Sequence, residues 1–132
     1  MGFAFCLAAL IAVSAAHISP PLMVSTVTSA IFPVGIDVDE YGNVLLSSQG
    51  TCTISKMPRG GTLSVIAGTA GSCTFRDGVG PAARFYYPCG IARLGSILYI
   101  ADEYNNRIRV LDLTTFSVST LTGSALGYLK DA

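Results

Sequence analysis

A chain of 132 residues has the length of one domain. Its formal net charge is zero, 12% of its residues are charged and 51% are hydrophobic. That balance argues against the basic stripe that nucleic-acid binding needs, against a polybasic membrane-surface patch, and against the polar composition of disordered chains.

Residues 1–16, MGFAFCLAALIAVSAA, form an apolar run without charge. It is shorter than the roughly 20 residues that span a bilayer, so no stable membrane span is expected. Ser14 and Ala16 suit the small-residue positions before a signal-peptidase cut. A helical signal peptide over residues 1–16 is therefore expected, with a secreted or secretory-pathway product; an uncleaved signal anchor is the alternative. Residues 17–23 follow as a linker in which Pro20 and Pro21 break any helix.

From residue 24 onward the pattern is that of strands. Val24-Ser25-Thr26-Val27-Thr28 is a first short trace. Pro33-Val34-Gly35-Ile36-Asp37-Val38-Asp39 then opens a unit that continues through Val44-Leu45-Leu46-Ser47-Ser48, Thr53-Ile54-Ser55-Lys56-Met57 and Leu63-Ser64-Val65-Ile66-Ala67. A second unit starts at Pro88 and runs through Gly90-Ile91-Ala92, Ile97-Leu98-Tyr99-Ile100-Ala101, Arg107-Ile108-Arg109-Val110-Leu111 and Ser117-Val118-Ser119-Thr120-Leu121. Period-two alternation, β-branched enrichment and Gly, Asn and Asp punctuation predict antiparallel strands in both. Pro33 and Pro88 stand 55 apart (88 − 33), and Val44 and Leu98 stand 54 apart (98 − 44). One residue is lost at a turn, which a structural repeat tolerates.

The predicted division is a first unit at 33–68, a linker at 69–87, a second unit at 88–123 and an unfinished linker at 124–132. The first linker carries Phe75, Phe85, Tyr86 and Tyr87, too many aromatics for a free loop. They are expected to pack the connection over the sheet edges, with Asp77 accepting backbone hydrogen bonds in the turn. An aromatic platform for a ligand is the functional alternative.

Pro-x-Gly-Ile, Gly-Asn-Val and Ala101-Asp102-x-x-Asn105-x-Arg107-Ile108-Arg109 together resemble the NHL repeat of β-propeller proteins, over roughly residues 24–132. In the first copy Ser47-Ser48 replaces Ala-Asp, and Gly50-Thr51-Cys52-Thr53 replaces the Asn-x-Arg stretch. The resemblance implies an all-β fold: two four-stranded antiparallel blades of an incomplete NHL-type propeller behind the signal-peptide helix. A closed propeller has at least four blades, so the chain is expected to be a fragment of a longer one. Closure as a homo-oligomer, or an open two-blade module, are the alternatives. The implied function is a non-catalytic scaffold for a protein or small-molecule ligand, with no cofactor.

The candidate sites are few. His17 is the sole histidine and lies beside the expected cleavage point, so no histidine-based triad or metal site can be assembled in the blades. Asp37 and Asp39, two apart on one strand, point to one face. Such a pair can bind calcium or serve a hydrolase or lyase with an acidic metal site, although beside Glu40-Tyr41-Gly42-Asn43 it more commonly shapes a turn. Asp102 and Asn105 are expected to shape the turn between the second and third strands of their blade. Arg107, Arg109 and Tyr104 are the binding candidates, and the two arginines can also pair with Asp102 or Asp112. Loss of Cys6 with the leader leaves Cys52, Cys73 and Cys89. A Cys73–Cys89 disulfide stapling the linker is one expectation, and three reduced buried cysteines are the other.

Overall fold

A computed structural model describes residues 32–124. The expected leader helix, the 17–23 linker, the Val24–Thr28 trace and residues 125–132 lie outside the described residues.

The first sheet is a meander of β1 (Pro33–Val38), β2 (Val44–Ser48), β3 (Thr53–Met57) and β4 (Ser64–Ala67), antiparallel throughout and in that spatial order. The second contains β5 (Gly78–Val79), β6 (Pro88–Leu94), β7 (Ile97–Asp102), β8 (Arg107–Asp112) and β9 (Ser117–Gly123) in the order β5-β9-β8-β7-β6. The described regular structure is otherwise two 3-10 turns. The fifth strand departs from the expected four. Gly78 pairs with Val118 and Val79 with Ser117, so the linker returns to cover the edge that β9 would otherwise expose.

Local chemistry sets the turns. The Asp39 carboxylate accepts from the Tyr41 and Asn43 amides at 3.0 and 2.9 Å, closing the β1–β2 turn. Gly95 joins β6 to β7 at φ 58°, in the left-handed region that a tight hairpin requires. The two copies share backbone as well as sequence. Positive φ recurs at Phe32 (49°) and Tyr87 (57°), just ahead of Pro33 and Pro88, and at Cys52 (57°) and Asn106 (52°) in the β2–β3 and β7–β8 turns.

The core lies between the two sheets. Leu45, Ile54 and Ala67 of the first meet Leu98, Ile100, Leu111 and Val118 of the second, with Ala83 and Phe85 of the linker wedged among them. Along β7, Leu98, Ile100 and Asp102 are fully buried while Ile97, Tyr99 and Ala101 alternate onto the opposite, partly open face. Strand β6 crosses close to β1. A Cβ on Gly35 would collide with the Cys89 carbonyl and lie 3.1 Å from the Ile91 nitrogen. Ser47 bridges the sheets there: its Oγ accepts from the Gly35 amide at 2.8 Å and donates to the Cys89 carbonyl.

Candidate functional site

The buried side chains of Arg109, Asp102 and Asn105 converge on the linker. Alternation along β8 turns Arg109 inward, and its side chain is wholly removed from solvent. Its Nη1 donates to Asp102 Oδ2 at 2.7 Å and to the Arg84 carbonyl at 2.9 Å. Nη2 donates to Asp77 Oδ1 at 2.7 Å and to the Arg76 carbonyl at 2.9 Å. Among the described residues Nε has no hydrogen-bond partner; the guanidinium carbon lies 4.8 and 5.1 Å from the ring centroids of Phe75 and Phe85. Asp102, also fully buried, accepts from the Tyr86 amide and the Asn105 side chain, both at 2.7 Å. These groups hold residues 76–86 against the second sheet.

Several expectations change as a result. Arg109 is not open to a ligand, because its fork is occupied by two carboxylates and two carbonyls. Asp77 accepts from the side chains of Arg109 and Thr120 rather than from backbone amides. Arg107 is half-buried, with its guanidinium carbon 3.8 Å from the Phe75 centroid, a cation–π contact. The expected partnership of Arg109 with Asp102 is present, as is the Asp102–Asn105 bond at the turn. Asp112 instead accepts from the Thr114 amide, which lowers its pKa.

The disulfide also differs. Cys52 is bonded to Cys73, with Cα atoms 5.4 Å apart, and among the described residues Cys89 is free. The linker leaves β4 and passes the β2–β3 turn, where the Gly71 amide donates to the Thr51 carbonyl at 3.2 Å; this brings Cys73 beside Cys52. Cys89 lies on β6 with its thiol 3.5 Å from the Ala101 carbonyl, away from that turn. The linker is thus tied covalently to the first sheet and by Arg109 to the second.

Asp37 and Asp39 have separate roles. Asp37 accepts from the Val38 and Arg93 amides at 2.7 and 2.6 Å, the second bond joining the two sheets. Asp39 accepts from the Asn43 side chain at 2.7 Å and pairs with Lys56 at 3.1 Å. Burial of Asp39 raises its pKa, but the Asn43, Lys56 and Tyr41 donors outweigh it and bring the value down to about 2. Both carboxylates serve the strand end and the inter-sheet contact.

Among the described residues, three tyrosines form an exposed cluster. Tyr86, Tyr87 and Tyr104 are 37%, 37% and 56% exposed. Tyr87 stacks on Tyr104 with centroids 4.4 Å apart, and Tyr86 meets Tyr104 edge-on at 5.1 Å. The Tyr104 amide donates to the Tyr86 carbonyl at 3.0 Å, which fixes the turn carrying Tyr104 against the linker. Beside the rings, Gln49 donates to Glu103 at 3.1 Å across the two sheets. Tyr104 is thereby joined to two residues that sequence reading assigned to linker packing. Adjacent tyrosines before Pro88, and a third two residues after Asp102, are the only signals of it in the sequence.

No family model matches the chain. It is 42% identical over 50 residues to NHL repeat-containing protein 2 of Bos taurus and 40% identical over 50 residues to that of Homo sapiens. Each alignment covers 36% of this chain and 7% of the relative, so the chain matches a small part of those proteins. A solved structure of a protein of unknown function from Bacteroides thetaiotaomicron superposes with a TM-score of 0.57 at 28% identity, covering 63% of this chain and 21% of that one. Part of the chain is thus similar to NHL-repeat sequence, and the described residues fold as two antiparallel β-sheets.

Proposed function

We propose that the chain forms two blades of an NHL-type β-propeller that acts as a non-catalytic scaffold, presenting Tyr86, Tyr87 and Tyr104 to a protein or small ligand. The tyrosine cluster carries this reading. Large, rigid rings with polar tips supply contact area at low entropic cost and are enriched at interfaces. The buried charged groups Arg109, Asp102 and Asp39, by contrast, are engaged in holding turns and linker together. The Cys52–Cys73 disulfide supports an oxidising, secretory setting.

The test compares the wild-type chain with a Tyr86→Ser, Tyr87→Ser, Tyr104→Ser variant as baits in quantitative affinity enrichment. Partners should fall at least tenfold on the variant while its circular dichroism stays unchanged; equal recovery on a folded variant would count against the tyrosine surface. The hydrolase or lyase alternative makes a different prediction. Calcium would raise the melting temperature, and Asp37→Asn would abolish that rise.

A further inference from the structure

The geometry points to Tyr87 and Tyr104 as an oxidative cross-linking site, where a haem peroxidase fed by hydrogen peroxide joins the two rings and staples the linker to the β7–β8 turn. This modification goes beyond ligand presentation and needs no docked partner. The rings are 37% and 56% exposed, so an oxidant at the surface reaches both. Their centroids are 4.4 Å apart and their planes only 19° from parallel. Tyr86 is close as well, but its ring meets Tyr87 at 5.4 Å and 54°, and Tyr104 at 5.1 Å and 70°. In a phenoxyl radical the unpaired electron occupies p orbitals perpendicular to the ring, partly on the carbons ortho to the oxygen. Near-parallel stacking turns those lobes of Tyr87 and Tyr104 toward each other. An edge-on arrangement sets the lobes of one ring against C–H bonds of the other.

The pair is mounted on buried structure. The Tyr104 amide donates to the Tyr86 carbonyl at 3.0 Å, and the Tyr86 amide donates to Asp102 Oδ1 at 2.7 Å. Asp102 is in turn paired with the buried Arg109, so both ring-bearing segments hang on one ion pair. Tyr87 has φ 57°, a value that a bulky residue rarely takes and that its surroundings must hold. The repeat itself does not call for two phenols. The matching positions of the first copy are Phe32 and Gly50 (87 − 55 and 104 − 54). Phe32 shares the left-handed backbone at φ 49° but carries no hydroxyl, and Gly50 has no ring. The stacked phenols are an addition of the second copy to a backbone that forms without them.

The step balances with one molecule of hydrogen peroxide. The peroxidase takes one electron and one proton from each phenol, giving two facing phenoxyl radicals, and the peroxide is reduced to two molecules of water. A carbon–carbon bond forms between one ortho carbon of each ring. The hydrogen on each of these carbons then moves to the ring's oxygen as a proton, which restores both aromatic rings and both hydroxyls. Holding the rings in contact makes radical pairing a step within one chain instead of an encounter between chains. The new bond closes a loop between residues 87 and 104 and restricts the unfolded chain as a disulfide does. Tyr41 is the internal comparison: it is 76% exposed, but among the described residues no ring is stacked on it.

The test treats the full chain at high dilution with a haem peroxidase and one equivalent of hydrogen peroxide, and reads dityrosine by fluorescence and peptide mapping. A Tyr87–Tyr104 link within a single chain is expected, at about tenfold higher yield than any dityrosine formed by Tyr87→Phe, which keeps the ring and lacks the phenol. Tyr104→Phe is the second such variant and should lose the link equally, whereas Tyr86→Phe should retain it. Denaturing urea should abolish the link, because the fold and not the sequence spacing makes the stack. The linked chain should melt at a higher temperature than the unlinked one. Coupling mainly at Tyr41, Tyr86 or another tyrosine, links formed only between chains, or equal yields from Tyr87→Phe or in urea would overturn the site. A linked chain that melts no higher would overturn the staple. Either failure leaves the ligand-presenting surface to be judged by its own affinity enrichment.

Discussion

At Asp39 and Arg109, carboxylate and guanidinium chemistry organises the turns. The lowered Asp39 value has a definite sign. With a folded value near 2 against an ordinary value of 3.8, its stabilisation is present above about pH 4 and is lost as pH falls through 2. The expected size is about 2 kcal/mol. Urea unfolding from pH 6 to pH 2 should show this loss, and Asp39→Asn should flatten that part of the acid slope; an unchanged slope would refute it. Arg109 is the more sensitive position. Arg109→Met leaves Asp102 buried without its cation and should cost about 3–5 kcal/mol in chemical denaturation. Arg107→Ala removes a contact made at a half-exposed site and should cost about 0.5–1 kcal/mol. Similar losses from the two would contradict the division between a buried clamp and a surface contact.

At the scale of strands and linker, the chain joins two sheets through a segment tied at both ends. The disulfide closes residues separated by 21 positions, which in the chain-entropy account stabilises by about 3 kcal/mol. Cys52→Ser with Cys73→Ser should lower stability by that order. Peptide mapping without reduction should recover Cys52 joined to Cys73 and an alkylated Cys89; a Cys73–Cys89 peptide would reverse the assignment. Strand β7 provides a paired test of register. Leu98 is fully buried in the inter-sheet core while Tyr99 points the other way. Leu98→Ala should cost about 2–5 kcal/mol, and Tyr99→Ser distinctly less by the same thermal or urea melt. Equal costs would mean that the outward face is as closed as the inward one.

At the scale of the whole molecule, the sequence carried the architecture through its repetition. Period-two runs cut by glycine, asparagine and aspartate were enough to read strands, because alternation and turn chemistry act over a few neighbouring residues. The recurrence at 54 and 55 residues (98 − 44 and 88 − 33) showed that one unit occurs twice. The NHL-like Asp102, Asn105, Arg107 and Arg109 could be picked out in the same way. Tertiary structure alone decided which groups meet. Cys73 reaches Cys52 rather than Cys89, Asp77 reaches Arg109, β5 joins β9, and Tyr104 meets Tyr86 and Tyr87. Each depends on the path of an irregular 69–87 linker folded back over two sheets. Local spacing sets which face a side chain takes, but not which distant segment covers that face, and contact across such distances is settled by packing.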